Sequence, residues 1–416
     1  MSLVELIKSP KLRYIIITFF VSAIGFLKSF VLLKIFDSES LGIVALAQTI
    51  ISTMSLLQFG VITGGYRLFS YKKEPILKKI NSAVLMFFSY LTIISCGVGA
   101  MLNQFVSLNI TTSMLVYLII IGVVSLYSSW VVCKLLGSKN IKTLNNAQVI
   151  SAIISFLIVV SAKWFGIQLV LFGLFMQPVI VIIMAYLQVP KLIPSFNHLN
   201  FKKYIVKIVM LGFIPYLTSA LTLLNSQLGR WIITISLGTA ILGKTYLVTL
   251  FITLVSVFPG AISNMFFPTI IEKYEMNMHE DLKSSLKRQF IILGGYYIII
   301  MVGTIFLAKV LVDLFLPKHV ESVNLIYAIA PSLLFLHMSV PIITLFNAAK
   351  KFKQILFGSL VSVFTYIMML STYAFFFTPN LFNFYIIESI SALFFFLYNL
   401  FYFIKITKSK YDESIA

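Results

Sequence analysis

"LGIVALAQTIISTMSLLQFG" runs from Leu41 to Gly60 without a charged residue. As a helix rising 1.5 Å per residue, twenty residues cover about 30 Å, the thickness of the hydrocarbon layer of a bilayer. The stretch therefore reads as a membrane-spanning helix. The same texture fills the rest of the chain: of its 416 residues 60% are hydrophobic and 11% charged, where soluble domains carry about a quarter charged. A membrane β-barrel would alternate in segments of about ten residues, and no such alternation is evident. The chain is an all-α integral membrane protein by this reading, acting inside the bilayer because no loop is long enough to fold as a soluble domain.

Twelve spans follow, at 14–36, 41–63, 80–102, 112–135, 146–163, 167–187, 206–235, 241–264, 289–310, 321–346, 355–377 and 381–404. The first is too long for a cleavable leader, holds Lys28 and Lys34, and lacks a small-residue cleavage site before the next span. Of the 32 Lys and Arg, about 25 fall in the two ends and in alternate loops. Those loops include "GGYRLFSYKKEPILKK" (64–79), "GSKNIKT" (137–143), "HLNFKKYIVK" (198–207) and "NAAKKFKQ" (347–354). Only Lys163, Lys309 and Lys318 lie in or beside the opposite set. Positive loops stay on the cytoplasmic side, so both termini are expected in the cytoplasm. The net charge of +19 is then topology and contact with anionic membrane lipid, and no nucleic-acid partner is called for.

The polar stretch "PSFNHLNFKKYIVK" (194–207) divides six spans from six. Across it, "LGIVALAQTIISTMSLLQFG" (41–60) is echoed by "LGKTYLVTLFITLVSVFPG" (242–260), the second span of each half. Two parallel six-helix halves are expected: an N-lobe at 1–193, a cytoplasmic linker at 194–207 and a C-lobe at 208–416.

Charges inside spans are informative because a central Arg or Lys costs about 2.5–3.5 kcal/mol on insertion scales and is placed toward an interior or a wet cavity. Lys28 lies halfway along the first span, Arg230 deep in the seventh, Lys244 just inside the eighth, His337 in the tenth, and Glu388 in the twelfth is the one carboxylate well inside a span. Ser219, Thr222, Ser226, Arg230 and Thr234 recur at steps of three and four, one face of a helix. Thr18, Ser22, Gly25 and Ser29 make a similar stripe beside Lys28. Each half thus contributes a polar seam, and Lys28 is expected to face Arg230 from the other half. The bland readings are that Lys34, Lys163, Lys244 and Lys309 snorkel from span ends, that Glu388 pairs with a lysine, that His337 is a satisfied interior histidine, and that Gln48 and Gln58 join helices.

Pro178, Pro215, Pro259, Pro331 and Pro341 fall inside spans, where kinks or hinges are expected. Cys96 and Cys133 have no spacing for a disulfide or a metal and read as core residues. No Gly-rich phosphate loop, HExxH motif, zinc cluster or pair of intramembrane carboxylates occurs, and "DSES" (37–40) is a short turn. An enzyme is disfavoured.

"LGIVALAQTIISTMSLLQFGVITGGYRLFS" (41–70), "LLNSQLGRWIITISLGTAILGKTYL" (223–247) and "LVDLFLPKHVESVNLIYAIAPSLL" (311–334) resemble segments of polysaccharide-export flippases, the Wzx-type O-antigen translocases of the superfamily that also holds MATE drug exporters. The resemblance is one of order, spacing and hydropathy over nearly the whole chain. Many relatives carry an acidic residue before the arginine of the seventh helix; here Gly229 stands there.

The resemblance implies a V-shaped pair of six-helix lobes around a central cavity. It also implies movement of an undecaprenyl-pyrophosphate-linked oligosaccharide, an O-antigen or capsule repeat unit, between leaflets of the bacterial cytoplasmic membrane. A polysaccharide polymerase and a chain-length regulator are the implied partners. The residue chemistry agrees: a sugar-linked pyrophosphate asks for cations and hydroxyls, and arginine's fork matches phosphate oxygens. The expected substrate contacts are Arg230, Lys28, Lys244, Ser226, Thr222, Thr234 and Gln48. No cofactor is expected; H+ or Na+ coupling stays open, with Glu388 as its candidate.

Three rivals stand beside this reading. A cation-coupled drug exporter would want acidic residues in its cavity, a membrane polymerase would want large outer loops, and a scaffold would have no use for charges on polar seams.

Overall fold

The computed structural model describes residues 10–71, 74–105, 110–138, 140–194 and 201–415, helical almost throughout. That follows from the composition, because hydrocarbon offers no partner to a backbone N–H or C=O and a helix satisfies both internally. Twelve stretches among the described residues are long and apolar enough to cross a membrane; the chain is a multi-pass membrane protein. In order, the α-helices are α1 (Pro10–Ile35), α2 (Ser38–Leu56), α3 (Val61–Tyr71), α4 (Glu74–Phe105), α5 (Thr112–Gly137), α6 (Ile141–Phe165) and α7 (Ile167–Gln188). They continue as α8 (Phe201–Leu237), α9 (Thr239–Lys244), α10 (Tyr246–Glu275), α11 (His279–Phe315), α12 (Val323–Met338), α13 (Val340–Ala348), α14 (Phe352–Phe376) and α15 (Leu381–Ile415). Residues 195–200 of the expected linker lie outside the described residues.

Several local expectations change. The second span stops at Leu56, where Phe59 (φ 47°) and Gly60 (φ 84°) turn the chain and the Gln58 side-chain carbonyl accepts the Ile62 N–H at 3.3 Å. The basic stretch 64–79, a loop by its charge, is mostly helix: it forms most of α3 and the start of α4. The reason is amphipathicity, since Val61, Gly64, Gly65, Leu68 and Phe69, buried together, recur at the helical step while Tyr66 is exposed. "DSES" is the N-cap of α2, with the Asp37 carboxylate accepting the Ser40 N–H at 3.0 Å. Pro178, Pro215 and Pro331 sit inside continuous helices, whereas Pro341 stands at the start of α13, just beyond the break at Ser339.

The chain forms two compact units. One comprises residues up to Ala220 together with Arg230–Gly243; the other comprises Leu221–Gly229 and everything from Lys244 onward. The expected division at 194–207 differs from this at the seventh span, because α8 contributes to both units. In the first unit α6 packs on α7 and α1, and α5 on α2, α3 and α4. In the second, α15 packs on α12 and α14, and α11 on α10 and α12.

Glycine explains why α8 and α9 belong largely to the first unit. A Cβ on Gly212 of α8 would lie 2.1 Å from the Gly60 carbonyl oxygen, and the Tyr216 hydroxyl donates to the Leu56 carbonyl. The echoed Leu-Gly pairs, 41–42 and 242–243, meet each other. A Cβ on Gly42 would sit 2.0 Å from the Thr239 carbonyl oxygen, and one on Gly243 would sit 1.7 Å from the Ser38 carbonyl oxygen. Side chains are excluded there because backbone already fills the space, as at small-residue contacts between membrane helices generally.

Gly42→Val and Gly243→Val are each expected to destabilise the protein by about 1–3 kcal/mol, the usual cost of overpacking, with backbone as the unyielding partner. Thermal unfolding in detergent measures this, and a control at Gly25, where a Cβ meets nothing within 4 Å, is expected to stay near wild type.

Candidate functional site

Lys28, in the second half of α1, is held inside the first unit. Its ammonium donates to the Gln177 side-chain carbonyl of α7 at 2.9 Å and to the Ser155 hydroxyl of α6 at 3.3 Å. Ser155 in turn donates to the Gly173 carbonyl at 3.0 Å. An ammonium has three donors, and two of them thus knit α1 to the most closely packed helix pair of the unit. The expectation that Lys28 faces Arg230 from another half needs correction: both cations belong to the first unit, since the α8 turn bearing Arg230 packs there. Trp231, the next residue, gives its indole N–H to the Thr53 hydroxyl of α2 at 2.9 Å.

A second intramembrane lysine is absent from the sequence candidates. Lys134 of α5 is fully buried and donates to the Asn81 carbonyl oxygen at 3.0 Å and the Tyr186 hydroxyl at 3.2 Å, beneath the Tyr186 ring. Asn81 also accepts the Trp130 indole N–H at 2.9 Å, and Tyr186 hydrogen-bonds Tyr127. By charge alone Lys134 stands at the edge of a span and passes for a marker of one membrane side. The signals that distinguish it are its apolar flanks, "VVCKLL", and Trp130 one helical turn before it.

The α8 stripe is drier than its spacing implies. Thr234 is buried and donates to the Arg230 carbonyl at 2.7 Å, Ser226 to Leu223 at 3.0 Å and Ser219 to Pro215 at 3.3 Å. In apolar surroundings a hydroxyl lacking another partner bonds back to its own helix; Ser22 of α1 does the same to Thr18 at 2.9 Å. Arg230 is half-buried, and the Thr222 side chain lies outside the described residues. Gly229, before the arginine, has a steric reason: a Cβ there would lie 2.6 Å from the Tyr366 hydroxyl.

The remaining sequence candidates are spread out. Lys244 pairs with Glu321 at 3.4 Å, with side chains 42% and 85% exposed; such an open pair contributes little. Gln48 is half-buried on α2. His337 shares a hydrogen bond of 3.2 Å with Ser256 and stacks on Tyr297, an interior histidine as its bland reading had it. Cys96 and Cys133 are free thiols.

Glu388 lines a cavity of about 50 Å³ inside the second unit, with Asn225 and Ser226 of α8 and Ser359 and Ser362 of α14 around it. Asn225 donates its amide to Ser362 at 3.2 Å and to Ser391 at 3.4 Å. That fixes the amide so that its oxygen, buried and without a hydrogen-bond partner, is an unused acceptor. A carboxylate, an amide oxygen and hydroxyls around a space of this size suit a proton-bearing water or a small bare cation.

No protein-family model matches the sequence, and no curated protein matches it. Solved structures do. An inward-facing multidrug-resistance MATE transporter superposes with a TM-score of 0.72 at 13% identity, covering 93% of this chain and 96% of its own. The lipid II flippase MurJ, in an inward closed conformation, gives 0.71 at 17% identity, covering 93% and 86%. A point mutant of the Vibrio cholerae MATE transporter VcmN gives 0.60 at 13%, covering 96% and 95%. The fold is therefore that of MATE and MurJ transporters.

If the Lys28 contact is as tight as its geometry, Lys28→Met and Gln177→Leu each destabilise the protein, and the double variant costs less than their sum by about 1.5–3 kcal/mol, the range for a hydrogen bond to a charged group. A double-mutant cycle on unfolding in detergent checks this; additive costs would contradict the contact.

Proposed function

We propose that the chain is a flippase that carries a lipid-linked oligosaccharide, an O-antigen or capsule repeat unit on undecaprenyl pyrophosphate, from the inner to the outer leaflet of the bacterial cytoplasmic membrane by alternating access. The observation that carries this reading is the retention of two cations in one unit, Lys28 within a membrane-spanning helix and Arg230 on the long apolar helix α8. Fixed cations at membrane depth are costly, and an anionic pyrophosphate is a cargo that recovers the cost. The fold shared with a lipid II flippase supports it. Arg230 is assigned to the diphosphate, through its fork. Lys28 contributes its field and one remaining donor. Ser226, Thr222, Thr234, Gln48 and Lys244 are kept as glycan or phosphate contacts. Both ends are placed in the cytoplasm, and a polymerase and a chain-length regulator receive the product.

Glu388 is assigned to coupling. Its cavity, with the unused Asn225 oxygen, is built for H+ or Na+ rather than for a phosphate. The same cavity serves the second reading, a cation-coupled drug exporter of the MATE kind, where it would hold the coupling ion.

Arg230→Ala is expected to abolish or severely reduce export while the protein inserts at normal or higher abundance, since a charge within an apolar helix is gone. Arg230→Lys is expected to restore part of it. Losing a charged hydrogen bond of roughly 1.5–3 kcal/mol weakens binding about ten- to a hundredfold. The readout is inner-leaflet accumulation of lipid-linked oligosaccharide at matched membrane abundance, and full export by Arg230→Ala rules out the clamp. Glu388→Gln is expected to uncouple transport from the ion gradient; wild-type transport by this variant at every pH and gradient would leave Glu388 a structural residue. Efflux of cationic dyes that survives Arg230→Ala and fails in Glu388→Gln would favour the drug exporter.

A further inference from the structure

Within the first unit, one face of α4 borders an open groove over about half of its length. Phe87, Tyr90 and Leu91, Ile94 and Ser95, Val98 and Gly99, and Leu102 and Asn103 recur at the helical step and line a groove of about 790 Å³. The facing walls come from α2, including Thr53 and Met54, and from Phe201, Trp231 and Ile235 of α8. The groove exists because α4 packs mainly along α5 while Trp231 ties α8 to Thr53. The α4 face from Phe87 to Asn103 spans sixteen helical steps, about 24 Å.

Among the described residues, no charged one lines this groove. Thr53 uses its hydroxyl on Trp231 and on the Thr49 carbonyl at 2.8 Å, and the Asn103 amide is tied to Thr112 at 3.2 Å. A glycan or a phosphate would find little to bind, whereas hydrocarbon fits everywhere. Length selects the hydrocarbon: one leaflet of a bilayer is about 15 Å deep, half of its roughly 30 Å core, and the groove outruns that. A phospholipid acyl chain would fill part of it; a long polyprenyl chain would fill it all. One α8 turn also joins the groove to the proposed clamp. Trp231 and Ile235 line the groove, and Arg230 and Thr234, each one residue earlier, stand about 100° around the same helix.

We propose that this groove seats the isoprenoid chain of the lipid-linked substrate, so that one turn of α8 handles the diphosphate on one side and the chain on the other. The assignment rests on the flippase reading for its substrate class and adds a fixed track for the tail. Because lipid is as apolar as the groove, the preference is one of packing, not of water exclusion.

The test uses the full-length protein in lipid nanodiscs with a photoreactive long-chain polyprenyl phosphate and, in parallel, a photoreactive phosphatidylethanolamine at the same mole fraction. The polyprenyl probe is expected to label α4 between residues 90 and 103 and α8 around 231–235, and to be displaced by unlabelled polyprenyl phosphate and not by phospholipid. Ile94→Trp and Val98→Trp are each expected to cut that labelling several-fold. Ile299→Trp on α11, where the side chain is 71% exposed, is expected to leave it unchanged. Equal labelling by the phospholipid probe, or polyprenyl labelling confined to other helices, would overturn the proposal. Because the probe carries no glycan and the readout is binding, a groove that labels as expected in a protein that moves no lipid-linked oligosaccharide would sink the flippase reading alone, and one in a protein whose export ignores Arg230→Ala would sink the clamp alone. Loss of export in Arg230→Ala without groove labelling would sink the tail track alone.

Discussion

An ammonium or guanidinium in hydrocarbon has to be solvated by the protein that carries it, and this requirement organises the first unit. Lys28 is met by Gln177 and Ser155 from two further helices, and Lys134 by Asn81 and Tyr186. Each lysine therefore acts as a cross-brace; removing Lys28 would leave the Gln177 side-chain carbonyl without this donor, a cost of about 1–3 kcal/mol, whereas without Lys134 Asn81 keeps the Trp130 indole N–H and Tyr186 its bond to Tyr127. Packing alone gives membrane helices weak preferences, because side chains and lipid tails are equally apolar. The polar contacts choose which helices are neighbours.

Close backbone contact then fixes how near those neighbours come. The Leu-Gly starts at 41–42 and 242–243 lock together through Gly42 and Gly243, and α8 lies on the turn after α2 through Gly212 and Gly60. This docking carries Arg230 into the first unit while Asn225 and Ser226, a turn earlier, border the Glu388 cavity of the second. A single helix thus carries both the residue assigned to the anionic cargo and residues beside the one assigned to the coupling ion.

Helix number and span positions are legible because hydrocarbon thickness imposes a length and forbids charge, both visible residue by residue. The amphipathic α3 is hidden because its basic neighbourhood looks like a loop to a reading based on charge. Lys134 is hidden because a lysine near a span end looks like a boundary marker unless its partner Asn81, 53 positions away in the chain, is known. The α8 seam reads as wetter than it is: spacing places Ser226 and Thr234 on one face, yet a hydroxyl's choice between a cavity and its own helix carbonyl leaves no trace in the sequence. The apolar groove has no local signature either, since the α4 stripe reads as ordinary lipid-facing surface until α2 and α8 wall it in.

The central claim is that cations held in this unit serve an anionic lipid-linked cargo. The most direct measurement is transbilayer movement of a fluorescent lipid-linked oligosaccharide in vesicles containing only the purified protein. Movement between leaflets that depends on the pyrophosphate, so that the same lipid-linked sugar without phosphate is not moved, is the predicted result. Equal movement of the phosphate-free lipid, or no movement of either alongside uptake of cationic dyes, would contradict it.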